Sequence, residues 1–242
     1  VFGRTDGQQT FPSTHTDPTI ENLDPVNCFV SKVSADGQTL LSSVIFASYG
    51  ICQAFDVEGN RGAPATSVHV AMQSTTGNFG GFVQLRTLTF VAASVEIAPL
   101  KGIGPTSIDG QPAQVADIRT DGFGNTYVLY HQLGEDATLQ ARLMKVDETG
   151  AIRGILDLDL VPDAAPSARA IAVDNFGRVF VVGSTLHAIT PSPGAFQPTR
   201  PQIFSCAENG FLMRIDTSVE PFLHTYASYI AGDGCDTILG IV

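Results

Sequence analysis

Four cysteines, Cys28, Cys52, Cys206 and Cys235, are the residues whose type and spacing carry the most chemistry in this chain. Cys28 and Cys206 each precede a Phe-led apolar run, and Cys52 and Cys235 each precede a run placed before an acidic turn. Separations of 24 and 29 residues within these pairs do not match the close-set cysteines of a zinc site. Two equivalent pairs fit two bridges, Cys28 to Cys52 and Cys206 to Cys235, with other pairings formally open. Each bridge would close a loop for which chain entropy gives about 3 kcal/mol, and such bridges persist only in oxidising surroundings. The expected location is therefore extracellular or at a cell surface.

The remaining reactive residues form no comparable set. Asp56, Asp121 and Asp174 each open a Gly-containing turn, where a carboxylate plus backbone oxygens is the start of a calcium site. The ligand count is too low, and an Asp that accepts its own turn's N–H groups explains the same pattern. Asp233-Gly234-Cys235-Asp236 is a denser acidic turn and the place where a cation is the alternative reading. His15, His69, His131, His187 and His224 are scattered and read as surface or edge-strand residues, not as a metal set or a Ser-His-Asp arrangement. Gly102-Ile103-Gly104-Pro105 and Phe79-Gly80-Gly81 lack the strand, helix and Lys of a phosphate loop. No catalytic residue, cofactor site or metal site is expected. With no Trp, aromatic stacking falls to Tyr49, Tyr130, Tyr226 and Tyr229.

The elements that position these residues are strands. The 24 Gly and 14 Pro are spread along 242 residues with only 15% charged side chains, which favours many short elements joined by turns. A formal charge of −11 makes nucleic acid an improbable partner. No apolar run approaches the roughly 18 to 20 residues of a membrane-spanning helix, so no membrane insertion is expected. The sequence starts at Val1 without a basic-then-apolar leader, which reads as a removed signal segment or as an excerpt of a longer chain.

Laid on itself, the chain repeats. Ile171-Ala172-Val173-Asp174-Asn175-Phe176-Gly177 and the strand after it lie over Ile118-Arg119-Thr120-Asp121-Gly122-Phe123-Gly124 without a gap, 53 residues apart. Asp56-Val57-Glu58-Gly59 opens a third copy, and a fourth is split between Val1-Phe2-Gly3-Arg4-Thr5 and Asp236-Thr237-Ile238-Leu239-Gly240-Ile241-Val242. A second mark confirms the register: Phe29-Val30-Ser31-Lys32-Val33 matches Leu143-Met144-Lys145-Val146 and Phe211-Leu212-Met213-Arg214-Ile215, with Phe82-Val83-Gln84-Leu85-Arg86 the weakest copy. Residues 40–46, 88–97, 152–160 and 222–230 supply one more strand per copy. Four strands per repeat predict an all-β chain, a β-propeller of four-stranded antiparallel blades, in preference to a sandwich. The expected organisation is a single domain over 1–242 with repeats at about 1–57, 68–120, 125–174 and 178–242. Its ring closes by pairing the N- and C-terminal strands, or the chain is cut from a larger propeller.

The fourth copy carries a family likeness. Ala170-Ile171-Ala172-Val173-Asp174-Asn175-Phe176-Gly177, then Val181-Val182-Gly183-Ser184-Thr185, then Pro193-Gly194-Ala195-Phe196-Gln197-Pro198 and Gly210-Phe211-Leu212-Met213-Arg214-Ile215 resemble the bacterial SBBP-type (seven-bladed) β-propeller repeat. Gly3, Thr5, Phe11-Pro12 and Tyr49-Gly50 repeat the pattern in the first copy. The middle copies depart from it, with Met72 and Tyr130 in place of Gly and no Phe-Pro segment. The resemblance implies a secreted or cell-surface bacterial scaffold and brings no catalytic residues. The expected function is a non-catalytic module binding protein or glycan, or self-associating, through its blade edges or through long loops such as 6–27 and 187–209. A structural subunit of an extracellular filament or surface layer is the alternative. A propeller hydrolase or lyase ranks third, because no paired acids or histidines converge in the sequence.

Overall fold

Alternating apolar and polar side chains, interrupted by Gly-bearing turns, fold this chain into short strands, and no helix occurs among the described residues. The computed structural model describes residues 1–5, 11–16, 27–47, 50–58, 67–74, 83–91, 94–97, 101–103, 113–133, 139–158, 168–201 and 208–242. Two units emerge, Val1–Pro112 and Ala113–Val242, each holding two sheets.

In the first unit, one sheet runs in the order β1 (Phe2–Thr5), β3 (Asn27–Val33), β4 (Leu40–Ala47), β2 (His15–Thr16). The second sheet runs β5 (Gly50–Glu58), β6 (Ser67–Ser74), β7 (Val83–Val91), β8 (Ser94–Ile97), and β9 (Lys101–Ile103) shares the far side of β7 with β8. Cys28, Val30 and Val44 of one sheet meet Val68, Val70, Leu88 and Phe90 of the other in a shared core. On the opposite face of β3, Phe29 packs against Phe11, the rings tilted by 42° with centroids 4.4 Å apart, and covers Gly3, where a Cβ would lie 2.7 Å from the Phe29 ring.

The second unit repeats the plan with the third sheet, β10 (Gln114–Thr120), β11 (Thr126–Leu133), β12 (Leu139–Val146), β13 (Ile152–Asp157), and the fourth, β14 (Ala168–Val173), β15 (Arg178–Thr185), β16 (Asn209–Asp216), β17 (Leu223–Tyr229). Leu129 and Leu143 face Ile171, Val181, Phe211 and Met213 across the interface, and burying each such side chain is worth roughly 1.5–3 kcal/mol. The tip of the Phe222 ring fills the space over Gly154, where a Cβ would lie 2.5 Å from Phe222 Cζ.

The repeat is visible in the irregularities as well as in the strands. The pairing of the first long strand with the next slips at Cys52/Ala54, Val115/Asp117 and Ala168/Ala170, and in the third and fourth sheets the slip stands at the same distance from the Asp turn. A second slip recurs between the last two long strands, at Lys32/Val33, Lys145/Val146 and Arg214/Ile215. Such bulges re-aim side chains. Just past its bulge, Asp117 receives the Ile171 N–H of the fourth sheet on Oδ2 at 3.0 Å.

Four expectations are altered. The hairpin that joins the first two long strands lies inside one sheet, β5–β6, β10–β11 and β14–β15, so the sheets run one strand out of step with repeats drawn at 1–57, 68–120, 125–174 and 178–242. Residues 88–97 are not one strand but the end of β7 and the whole of β8, folded back between Val91 and Ser94. The first sheet has three antiparallel strands, and its fourth, β2, is parallel to β4 and comes from the segment read as a loop. Residues 236–242 form no strand.

Candidate functional site

The turns between the first two strands of the third and fourth sheets are closed by their aspartates. Asp121 Oδ1 accepts the N–H groups of Phe123 (2.9 Å) and Asn125 (3.0 Å), while Oδ2 accepts Asn125 Nδ2 (2.8 Å) and Tyr127 Oη (3.0 Å). Asp174 Oδ1 accepts the N–H groups of Phe176 (2.8 Å) and Arg178 (3.0 Å), and Oδ2 takes Arg178 Nε (2.5 Å). Burial pushes the Asp174 carboxyl up, but the Arg178 and Phe176 N–H groups and the Arg178 guanidinium outweigh it and leave it below its ordinary value. Turn closure thus accounts for both acids. Asp56 opens no such turn: it lies within β5 opposite His69, the strand running on to Glu58, and its side chain lies outside the described residues. Asp147 plays the same part between β12 and β13, accepting Thr149 and Ala151 N–H groups and Arg153 Nε, a role the sequence signals by the Gly that follows at Gly150.

Each turn is completed by a glycine in the left-handed region, Gly124 at φ 83° and Gly177 at φ 74°. Immediately before each glycine a phenylalanine stands in solvent, Phe123 at 68% and Phe176 at 74% exposure. The two turns lie at one end of the unit. Thr217 Oγ1 donates to Gly177 O at 2.7 Å and sits 3.4 Å from Tyr127 Oη, which in turn donates to Asp121. Lys145 Nζ donates to Thr217 O and lies 5.6 Å from the Tyr127 ring centroid. Burial holds the Tyr127 phenol well above its usual range, so it remains a donor. The Arg178 guanidinium covers the Phe176 ring at 5.0 Å. This rigid platform presents two aromatic rings and two cations, which suits recognition by stacking and contains no nucleophile beside a base. Both phenylalanines are readable as Asp-x-Phe-Gly, but nothing in the sequence alone says that their rings face water.

The long segments read as binding loops cover sheet edges. Ser192 donates its N–H to Ala227 O (3.0 Å) and accepts Ala227 N–H on its hydroxyl (2.9 Å). Thr14 makes the same reciprocal pair with Ser43 against β4, at 2.9 Å in each direction. Gln197 then brackets Ala231 through its amide, and the phenols of Tyr226 and Tyr229 accept the N–H groups of Phe196 and Ile189. Two of the tyrosines expected for stacking are therefore committed to holding this segment. A third, Tyr130, is 1% exposed, and burial pushes its phenol up to about 12. Tyr49 lies outside the described residues.

Of the histidines, His187 and His224 are exposed and His69 approaches Thr87 through Nδ1 at 3.3 Å. His131 is neither a surface nor an edge-strand residue: it is 2% exposed on β11, which is paired on both sides. Its place in the strand's alternation turns it toward the core, and burial lowers it to about 4. The side chain of His15 is not among those described. Asp236 closes its own turn, accepting Gly232 N–H at 2.8 Å.

Cys28 is fully buried in the core between the first two sheets, and Cys235 is exposed near the end of the chain; neither is a free thiol. The backbone of Cys52 is on β5, while its side chain and all of Cys206 lie outside the described residues. No protein-family model matches the chain, and no curated protein matches it.

Proposed function

We propose that this protein is a secreted, non-catalytic β-propeller scaffold of the SBBP-type repeat, binding a protein or glycan, or copies of itself, at the cell surface. The observation that carries the reading is the matched pair Phe123 and Phe176, held in solvent on turns locked by Asp121 and Asp174. Exposed rings on an immobile backbone lose little entropy on binding and stack on sugar faces or apolar side chains. The propeller part draws support from the third and fourth sheets, which share sequential strand order and both bulges, and from sheets packed face to face within each unit.

The extracellular part draws support from the cysteines. Cys28 lies in the core shared with the sheet that contains Cys52, and Asp236 N–H, next to Cys235 in the chain, donates to Glu208 O, two residues after Cys206 in the sequence. These neighbourhoods favour the pairs Cys28–Cys52 and Cys206–Cys235. A glycan array and a pull-down of surface proteins, each run with the native protein and with F123A/F176A, test the binding role. The double variant is expected to keep its fold and lose at least about tenfold in affinity, roughly 1.4 kcal/mol. Equal binding by both proteins would reject the turn end as the binding face, and turnover of ester or glycoside substrates would reject the non-catalytic reading.

A further inference from the structure

A polar cluster is buried on the third sheet, on the face turned away from Leu129 and Leu143. Tyr130 and Gln132 alternate with Leu129 and His131 along β11 and so share that face, and each is 1% exposed. They stand opposite Arg142 and Gln140 of β12, and Arg142 stands opposite Asp157 of β13. The same positions of the fourth sheet hold Gly183 opposite Phe211 and Thr185 opposite Asn209. The fold itself therefore requires neither an arginine nor a phenol here.

Arg142 organises the cluster. Its Nη1 donates to Gln132 Oε1 at 2.9 Å, its Nη2 donates to Gln140 Oε1 at 3.0 Å, and its Nε lies 2.6 Å from Asp157 Oδ1. A guanidinium has only donors, so both amides offer it oxygen, and Gln132 turns its NH2 group away. Among the described residues that Nε2 has no hydrogen-bond partner, and neither has the Tyr130 hydroxyl. Directly opposite residues on paired strands lie side by side, so the phenol and the amide adjoin the same guanidinium. Buried polar groups of this kind are nearly always satisfied, by protein or by ordered water.

We propose that Tyr130 Oη and Gln132 Nε2 hold one internal water molecule, whose oxygen accepts from both. Size and charge select this occupant. At 1% exposure neither side chain is open to a sugar or a peptide, and the Arg142 charge is already matched by Asp157, which leaves no excess positive charge to hold an anion. Water needs no countercharge, and immobilising it costs less than leaving two buried donors unmade. It completes a run of hydrogen bonds from Tyr130 through Gln132 and Arg142 to Gln140 at the end of the sheet away from the Asp121 turn.

NMR of the native protein reads the water directly. The Gln132 side-chain NH2 is expected to show cross-relaxation with a long-lived water, unchanged when sodium gluconate replaces sodium chloride. Tyr130→Phe removes the phenol oxygen and leaves the Arg142 contact of Gln132 in place. It is expected to abolish that signal and to raise the unfolding equilibrium constant about tenfold. A phenol that bonded to nothing would give the reverse, because deleting it leaves stability unchanged or higher. No signal at Gln132 in the native protein, a signal that depends on chloride, or a Tyr130→Phe protein at least as stable as the native one would overturn the proposal.

Discussion

At the residue scale, the aspartates of the turns do structural work that resembles ligand chemistry in sequence. Asp121 is 7% exposed and accepts four donors, one of them the buried Tyr127 phenol. Asp121→Ala strands those donors, so a loss of about 2–3 kcal/mol is expected in urea unfolding, larger than that from Asp147→Ala in its exposed turn. His131 gives the pH signature. Burial places its folded value at about 4, below its ordinary 6.5, so the unfolded chain binds the proton more tightly. Stability is then full above pH 6.5 and falls as the pH drops from 6.5 toward 4, by on the order of 2–3 kcal/mol. The carboxylates add their own loss only at lower pH, because Asp147 and Asp174 are held below the ordinary value, Asp147 chiefly by the Thr149 hydroxyl. Unfolding midpoints measured from pH 7 to pH 4 are expected to decline for the native protein and to stay flatter for His131→Gln. Equal slopes would mean that the imidazole is not the group responsible.

At the element scale, reciprocal bonds of Thr14 with Ser43 and of Ser192 with Ala227 show how one repeat solves the edge problem twice. Ser192→Val removes the acceptor for Ala227 N–H and is expected to cost about 1–2 kcal/mol, with faster amide exchange along β17 and little change on β12. Strands were legible because alternation and Asp-Gly turns are local signals: β3, β12 and β16 fall where the pattern places them. The fold-back between Val91 and Ser94 was not legible, since Ala92-Ala93 carries no turn residue and apolar character runs on through it. Edge covering was hidden for another reason. Its partners are backbone groups of β4 and β17, which every sequence offers equally. His131 was misread because its burial depends on which face of β11 meets the fourth sheet, a tertiary fact.

At the scale of the whole molecule, the repeat divides labour: turns at one end of the second unit carry exposed aromatic rings, and segments of the chain cover the edges at β4 and β17. The cysteines test whether this scaffold belongs outside the cell. The proposed pairs lie in different units, Cys28–Cys52 in Val1–Pro112 and Cys206–Cys235 in Ala113–Val242. Removing either pair as a double serine variant releases a loop of 24 to 29 residues in the unfolded chain and is expected to cost about 3 kcal/mol. Removing both is expected to cost about the sum, since changes in separate units usually add. Intact mass after alkylation without reductant gives the prior condition. No label should enter the native protein, whereas uptake of four labels would place the chain in a reducing compartment and remove the bridges from its stability.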